Sequence, residues 1–167
     1  MGLDLEIYKA KKGTWSIIDD KNNSYEWHIE GLDHDICYGR KTWSIYNFFK
    51  LRGKPIEVDP CMNQVFTIDK DAVLDFIKIV KPHIENLRKC IKEREIADQI
   101  EDPDYKLPRW VYRQEAKFFI DWEANSGNGD TYQLGRDWEI YAIVRWYDVL
   151  IHEDDFDDYD YIISAWY

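Results

Sequence analysis

Five side chains that can ligate a metal ion, His28, Asp33, His34, Asp35 and Cys37, lie close together in this chain of 167 residues. Imidazole, carboxylate and thiolate donors suit zinc or a related ion. Metal sites draw on ligand pairs at recurring short spacings, and this run matches none of them. It reads instead as a polar loop between strands. A second cluster is His152-Glu153-Asp154-Asp155-Phe156-Asp157-Asp158-Tyr159-Asp160. Calcium loops also crowd Asp residues, but an EF-hand needs a central glycine and a closing glutamate, and both are missing. That leaves a solvated charged loop or a protein-binding surface. In the second case, carboxylates spaced by aromatics imitate the phosphates and stacked bases of a nucleic acid. Asp154, Asp155, Asp157, Asp158 and Asp160 would then meet a Lys/Arg groove, with Phe156 and Tyr159 adding contact area. A smaller feature is the basic pair Arg40-Lys41 ahead of Trp43. It is placed to hold an anion where the free N–H groups of a helix start point outward.

The sequence contains no G-x-S-x-G, P-loop, G-x-G-x-x-G or H-E-x-x-H motif, and His83 and His152 stand alone. Binding rather than catalysis is therefore expected, with no cofactor and no metal. Charge sharpens that expectation. The chain has 22 Lys and Arg against 33 Asp and Glu, net -11. Residues 1–52 balance at 8 basic and 8 acidic, whereas residues 136–167 hold 2 basic and 9 acidic. A field of that sign repels nucleic acid and anionic membranes and attracts basic surfaces. Cys37, Cys61 and Cys90 are widely separated, which argues against a disulfide framework and for a reducing compartment. The opening residues lack the apolar core of a signal peptide, Glu6 stands where a myristoylation signal wants Ser or Thr, and no apolar run is long enough to span a bilayer. A cytoplasmic placement is expected.

These residues need elements to position them. Leu3, Leu5 and Ile7 alternate with Asp4, Glu6 and Tyr8, as in a half-buried strand. Trp15 and Ile17, then Tyr25, Trp27 and Ile29, flank the polar run 19–24 and predict a hairpin. Thr42 is the expected cap of a short helix carrying Trp43, Ile45, Tyr46 and Phe49, stopped by Gly53 and Pro55. A strand over Gln64–Ile68 leads to Asp69, the cap of a long helix. Its stripe Val73, Ile77, Val80, Ile84, Leu87 and Ile91 keeps phase across Pro82, which predicts a kink near Lys81. Residues 101–108 are a Pro-bounded loop. The run Phe118-Phe119-Ile120-Asp121-Trp122 predicts a strand, and residues 125–130 a loop. Asp137 is the expected cap of a last helix with Trp138, Tyr141, Val144 and Ile151 inward, followed by a strand over 161–167. The expected class is α+β in a single domain (1–167), with a largely antiparallel sheet, helices on one side and one long Pro-kinked helix.

The opening Met1-Gly2-Leu3-Asp4 resembles the start of a family of small, mostly uncharacterised phage and prophage proteins. Tyr38-Gly39-Arg40-Lys41-Thr42-Trp43 leading to Phe48-Phe49 is similar to that family's aromatic-basic entry into a short helix, and Thr67-Ile68-Asp69-Lys70-Asp71 to its capped helix start. The segment from Phe118 to Leu150 is similar to its closing strand, loop and helix. The glycines fall later here than in the family, and the acidic stretch after Leu150 has no counterpart. The resemblance implies a phage or mobile-element origin and no particular activity. Three functions follow as expectations. The first is an anti-defence inhibitor, anti-CRISPR-like, whose acidic surface engages a basic host protein such as a nucleic-acid-binding defence effector. The second is a small-ligand-binding protein or enzyme using the region His28–Lys41. The third is an immunity protein that neutralises a basic toxin.

Overall fold

A computed structural model of the chain describes residues 3–19, 27–58, 63–127 and 137–166. The opening alternation forms strand β1 (Asp4–Lys11), with Leu5 and Ile7 fully buried. It lies within a five-stranded sheet of order β4-β1-β7-β6-β5, in which β4 is His34–Arg40, β5 Lys54–Val58, β6 Asn63–Ile68 and β7 Tyr159–Trp166. Every neighbouring pair is antiparallel. The last strand in sequence is thus the central strand in space. Strands β2 (Ser16–Asp19) and β3 (Trp27–Glu30) pair as a separate antiparallel hairpin, as the flanking alternation predicts.

One face of the sheet carries the helices α1 (Trp43–Arg52), α2 (Lys70–Val80), α3 (Ile84–Asp98), α4 (Arg109–Ser126) and α5 (Asp137–Leu150). Leu5, Ile7, Phe66, Tyr161, Ile163 and Ala165 join them in one core. Its centre is aromatic: Phe48, Phe49, Phe76, Phe118, Trp122 and Trp146 contact one another with ring centroids 5.1–5.9 Å apart. Such rings bury large areas and pack edge-to-face or tilted rather than as flat sandwiches. On the other face, Ala10, Val65 and Ile162 lie beneath Trp15, Ile17, Ile29 and Leu32 of the hairpin region. The class is α+β, with helices on one side of an antiparallel sheet, as the sequence predicts.

Several local expectations are corrected. The run Phe118–Trp122 is not a strand but lies within the 18-residue helix α4. Val111, Glu115, Phe118, Phe119 and Trp122 form the buried helical face, while Ile120 is 69% exposed. Consecutive apolar residues concealed that 3.6-residue period. Ile151 falls beyond α5 and is exposed, and Leu150 fills the inward position. Residues 34–37, read as loop, belong to edge strand β4. Pro82 sits in a single tight 3-10 turn, Lys81–His83, between α2 and α3. The backbone stays helical at Val80, Lys81 and Ile84, which is why the apolar stripe keeps its phase. Asp69 caps α2 as expected, its Oδ1 accepting from Ala72 N–H at 2.9 Å.

Gly53, at the end of α1, is required by close approach. A Cβ there would fall 2.5 Å from the Phe66 ring and 2.9 Å from the carbonyls of Phe49 and Thr67. Gly53→Ala is expected to destabilise by about 1–3 kcal/mol, the usual range for overpacking. Urea titration checks this, and a midpoint equal to that of the parent protein would contradict it.

Candidate functional site

The acidic segment joins α5 to the central strand β7, so a helix fixes one of its ends and the sheet the other. Lys9 completes the attachment. It follows Leu5 and Ile7 on the inward side of β1 and is only 9% exposed. Its Nζ donates to Asp155 at 2.8 Å and to Glu153 at 3.4 Å, and lies 4.7 Å from the centroid of the Tyr159 ring. Burial pulls the ammonium towards neutrality, but the bonds to Asp155 and Tyr161 and the charge of Glu153 outweigh it, and the net displacement is upward. The Tyr161 hydroxyl donates to Glu153 at 2.7 Å, and burial followed by that carboxylate raises its pKa to about 12. Phe156 stacks on Tyr161 at 4.3 Å, its carbonyl accepts from Lys12 Nζ at 2.7 Å, and the Asp158 carbonyl accepts from Lys12 N–H at 3.0 Å.

This arrangement sorts the seven residues expected to form a contact surface. Asp155 is paired with Lys9, although its side chain remains 53% exposed. Phe156 and Tyr159 are half-buried and pack against the core. Asp160 accepts from the Trp15 indole N–H at 2.8 Å, which ties the hairpin to β7. Asp154, Asp157 and Asp158 are exposed. The loop is therefore a shaped acidic projection, with part of its carboxylate set spent on holding its form. Lys9 belongs to no recognisable motif. Its signal was present, because a lysine in register with buried Leu5 and Ile7 needs an opposite charge to meet it.

The other expected sites are arranged differently. Arg40 is exposed, with Nε 3.9 Å from Asp4. Lys41 has a left-handed backbone, φ 58°. Its carbonyl accepts from the Trp138 indole N–H at 3.1 Å, and its Nζ lies 5.7 Å from that ring's centroid. Thr42 flanks α1 but makes no side-chain capping bond. The helix start is occupied instead by Glu139 of α5, fully buried, which accepts from Ser44 N–H at 3.4 Å and from the Ser44 hydroxyl. Burial raises the Glu139 pKa to about 7, against the opposing bonds from Ser44 and the Trp43 backbone. The anion that the helix start favours is thus supplied by the protein itself.

The His28–Cys37 region is dispersed over the hairpin strand β3, the connection after it and the edge strand β4. His28 lies 3.2 Å from Glu30, Asp33 accepts from Lys11 N–H at 3.2 Å, and Cys37 is buried. Among the described residues no group of three or more His, Cys, Asp or Glu side chains is placed to hold a metal ion. Burial raises the pKa of the Cys37 thiol and raises that of Cys90 to about 11, so neither is an activated nucleophile. His83 pairs with Asp121 at 2.6 Å and meets the Phe118 ring edge-on, linking the 3-10 turn to α4. His152 is exposed. Among the described residues no helix is long and apolar enough to cross a membrane.

Fold and site together define an α+β protein with an anchored acidic loop between α5 and β7. No family model, curated protein or solved structure matches the chain.

Proposed function

We propose that the chain acts by stoichiometric binding, presenting the loop 152–160 to a basic protein surface. The observation that carries this reading is the anchoring of the loop by Lys9 and Lys12 while Asp154, Asp157 and Asp158 stay exposed. A loop already held in shape loses little conformational entropy on binding. Exposed carboxylates on a chain of net charge -11 steer it towards cationic partners. The resemblance to phage and prophage proteins supports an anti-defence role in the host cytoplasm. The target would be the cationic nucleic-acid groove of a defence effector, and an immunity protein against a basic toxin would use the same surface.

The test is a pull-down from host lysate with the parent protein and the triple variant Asp154→Asn/Asp157→Asn/Asp158→Asn. These side chains are exposed, so the variant should keep its thermal midpoint. The expected result is a basic, nucleic-acid-binding partner captured at low salt, released at high salt, and at least tenfold weaker with the variant. Equal, salt-insensitive capture by both proteins would sink the proposal.

A further inference from the structure

At the opposite end of β1 from the acidic loop, β4 and the first turns of α5 enclose a groove of about 380 Å³. Tyr38, Gly39 and Arg40 line one side, and Trp138, Tyr141, Ala142 and Arg145 the other. Acidic residues outnumber basic ones 33 to 22 in the chain, yet among the described residues both charged side chains lining this groove are arginines. Lys41 adds a third cation beside Trp138, and its left-handed backbone is a strained conformation for a non-glycine residue. Asp4 lies on the Tyr38 side of the rim, 3.9 Å from Arg40 Nε, and desolvation followed by this carboxylate raises the Tyr38 pKa. Across the groove, the Arg145 guanidinium sits beside the Cys37 thiol.

Beneath the groove, Gly39 covers two buried polar atoms. Thr42 Oγ1 and Trp146 Nε1 are fully buried and have no hydrogen-bond partner among the described residues. They lie 3.0 and 3.2 Å from the point where a side chain at position 39 would begin. Two buried polar atoms without partners are costly, and both pack directly against the backbone of Gly39. A side chain at position 39 would crowd Thr42 and Trp146, which favours glycine there.

We propose that this groove binds a small planar anion: an aromatic or heteroaromatic ring bearing a phosphate or carboxylate. Arg40 and Arg145 offer planar forks of N–H donors suited to such a group. Trp138, Tyr141 and Tyr38 supply ring faces for stacking. The volume falls within the ~300–1,000 Å³ usual for small-molecule sites. A polynucleotide is disfavoured by the net charge of -11. The site is independent of the acidic loop, so either proposal stands without the other.

Titration calorimetry of the full chain at low salt, with a nucleoside monophosphate, an aryl carboxylate and inorganic phosphate as separate probes, tests this. At least one ring-bearing anion should bind saturably and at least tenfold more tightly than inorganic phosphate. Which of the two binds identifies the source of the anion. The double variant Arg40→Gln/Arg145→Gln, both positions exposed, should weaken that binding at least tenfold with an unchanged thermal midpoint, and Trp138→Phe should weaken it less. Absence of saturable binding, phosphate binding as tightly as the ring-bearing anions, or undiminished binding by the folded double variant would each overturn the proposal.

Discussion

Lys9→Met is expected to lower the unfolding free energy by about 3–5 kcal/mol, the usual cost of removing one partner from a buried ion pair. Methionine preserves most of the apolar stem, so the loss comes from the ammonium rather than from packing. Without it, Glu153, whose side chain is only 16% exposed, keeps the Tyr161 hydroxyl but loses its cation. Asp155 is exposed enough to turn to water and contributes less. The double variant Lys9→Met/Glu153→Gln should recover part of the loss, because the stranded charge is gone and the amide can still accept from Tyr161. Urea unfolding of the four proteins in this cycle measures the coupling. If Lys9→Met falls within about 0.5 kcal/mol of the parent protein, the level of an ordinary surface substitution, the anchoring of the acidic loop is wrong. The same variant links stability to function, since a released loop would have to be ordered again on binding and partner affinity should fall even with every carboxylate intact.

Glu139 should make stability fall as pH rises from about 4.5 to about 7. Its pKa moves from an ordinary 4.5 to about 7 on folding. Between those values the folded chain binds more protons than the unfolded chain, and the slope of unfolding free energy with pH is negative. The contribution is present below pH 4.5 and is lost on passing through pH 7. At about 1.4 kcal/mol per pKa unit it amounts to roughly 3 kcal/mol. Other groups add their own slopes, so the quantity to measure is the difference from Glu139→Gln. Glutamine keeps the shape and an acceptor for Ser44 and carries no charge to desolvate. The variant should lack this component of the pH dependence and should be the more stable protein at pH 8. Parallel pH profiles for the two proteins would show that the buried carboxyl is ionised at no cost. The expected effect arises at the joint between α1 and α5, beside the groove lined by Trp138 and Arg145.

Local pattern accounts for much of this molecule. The alternation in residues 3–8 specifies a strand with one buried face, and the stepped stripe from Val73 to Ile91 specifies helix on both sides of Pro82. Asp69 stands where a cap is needed and makes the capping bond. The concentration of acid after residue 136 was equally plain. These features are legible because each depends on neighbours within a few positions, through the strand period, the helix period or a cap.

Tertiary structure decided the rest. The apolar run at Phe118–Trp122 satisfies strand and helix patterns alike over so few residues, and only packing against Phe48, Phe76 and His83 favours the helix. Strand β4 was hidden because an edge strand shows its polar side chains to water and reads as loop. Thr42 and Glu139 are 97 positions apart, so nothing local told which of them would serve the start of α1. Sequence by itself determined that this chain is an α+β protein with acid gathered near one end. That the acid forms an anchored loop rather than a free tail was decided by β7 taking the centre of the sheet and by Lys9 turning inward from β1. A packed helix and a central strand hold the segment between them at both ends, and a buried ammonium must find its carboxylates wherever the fold brings them.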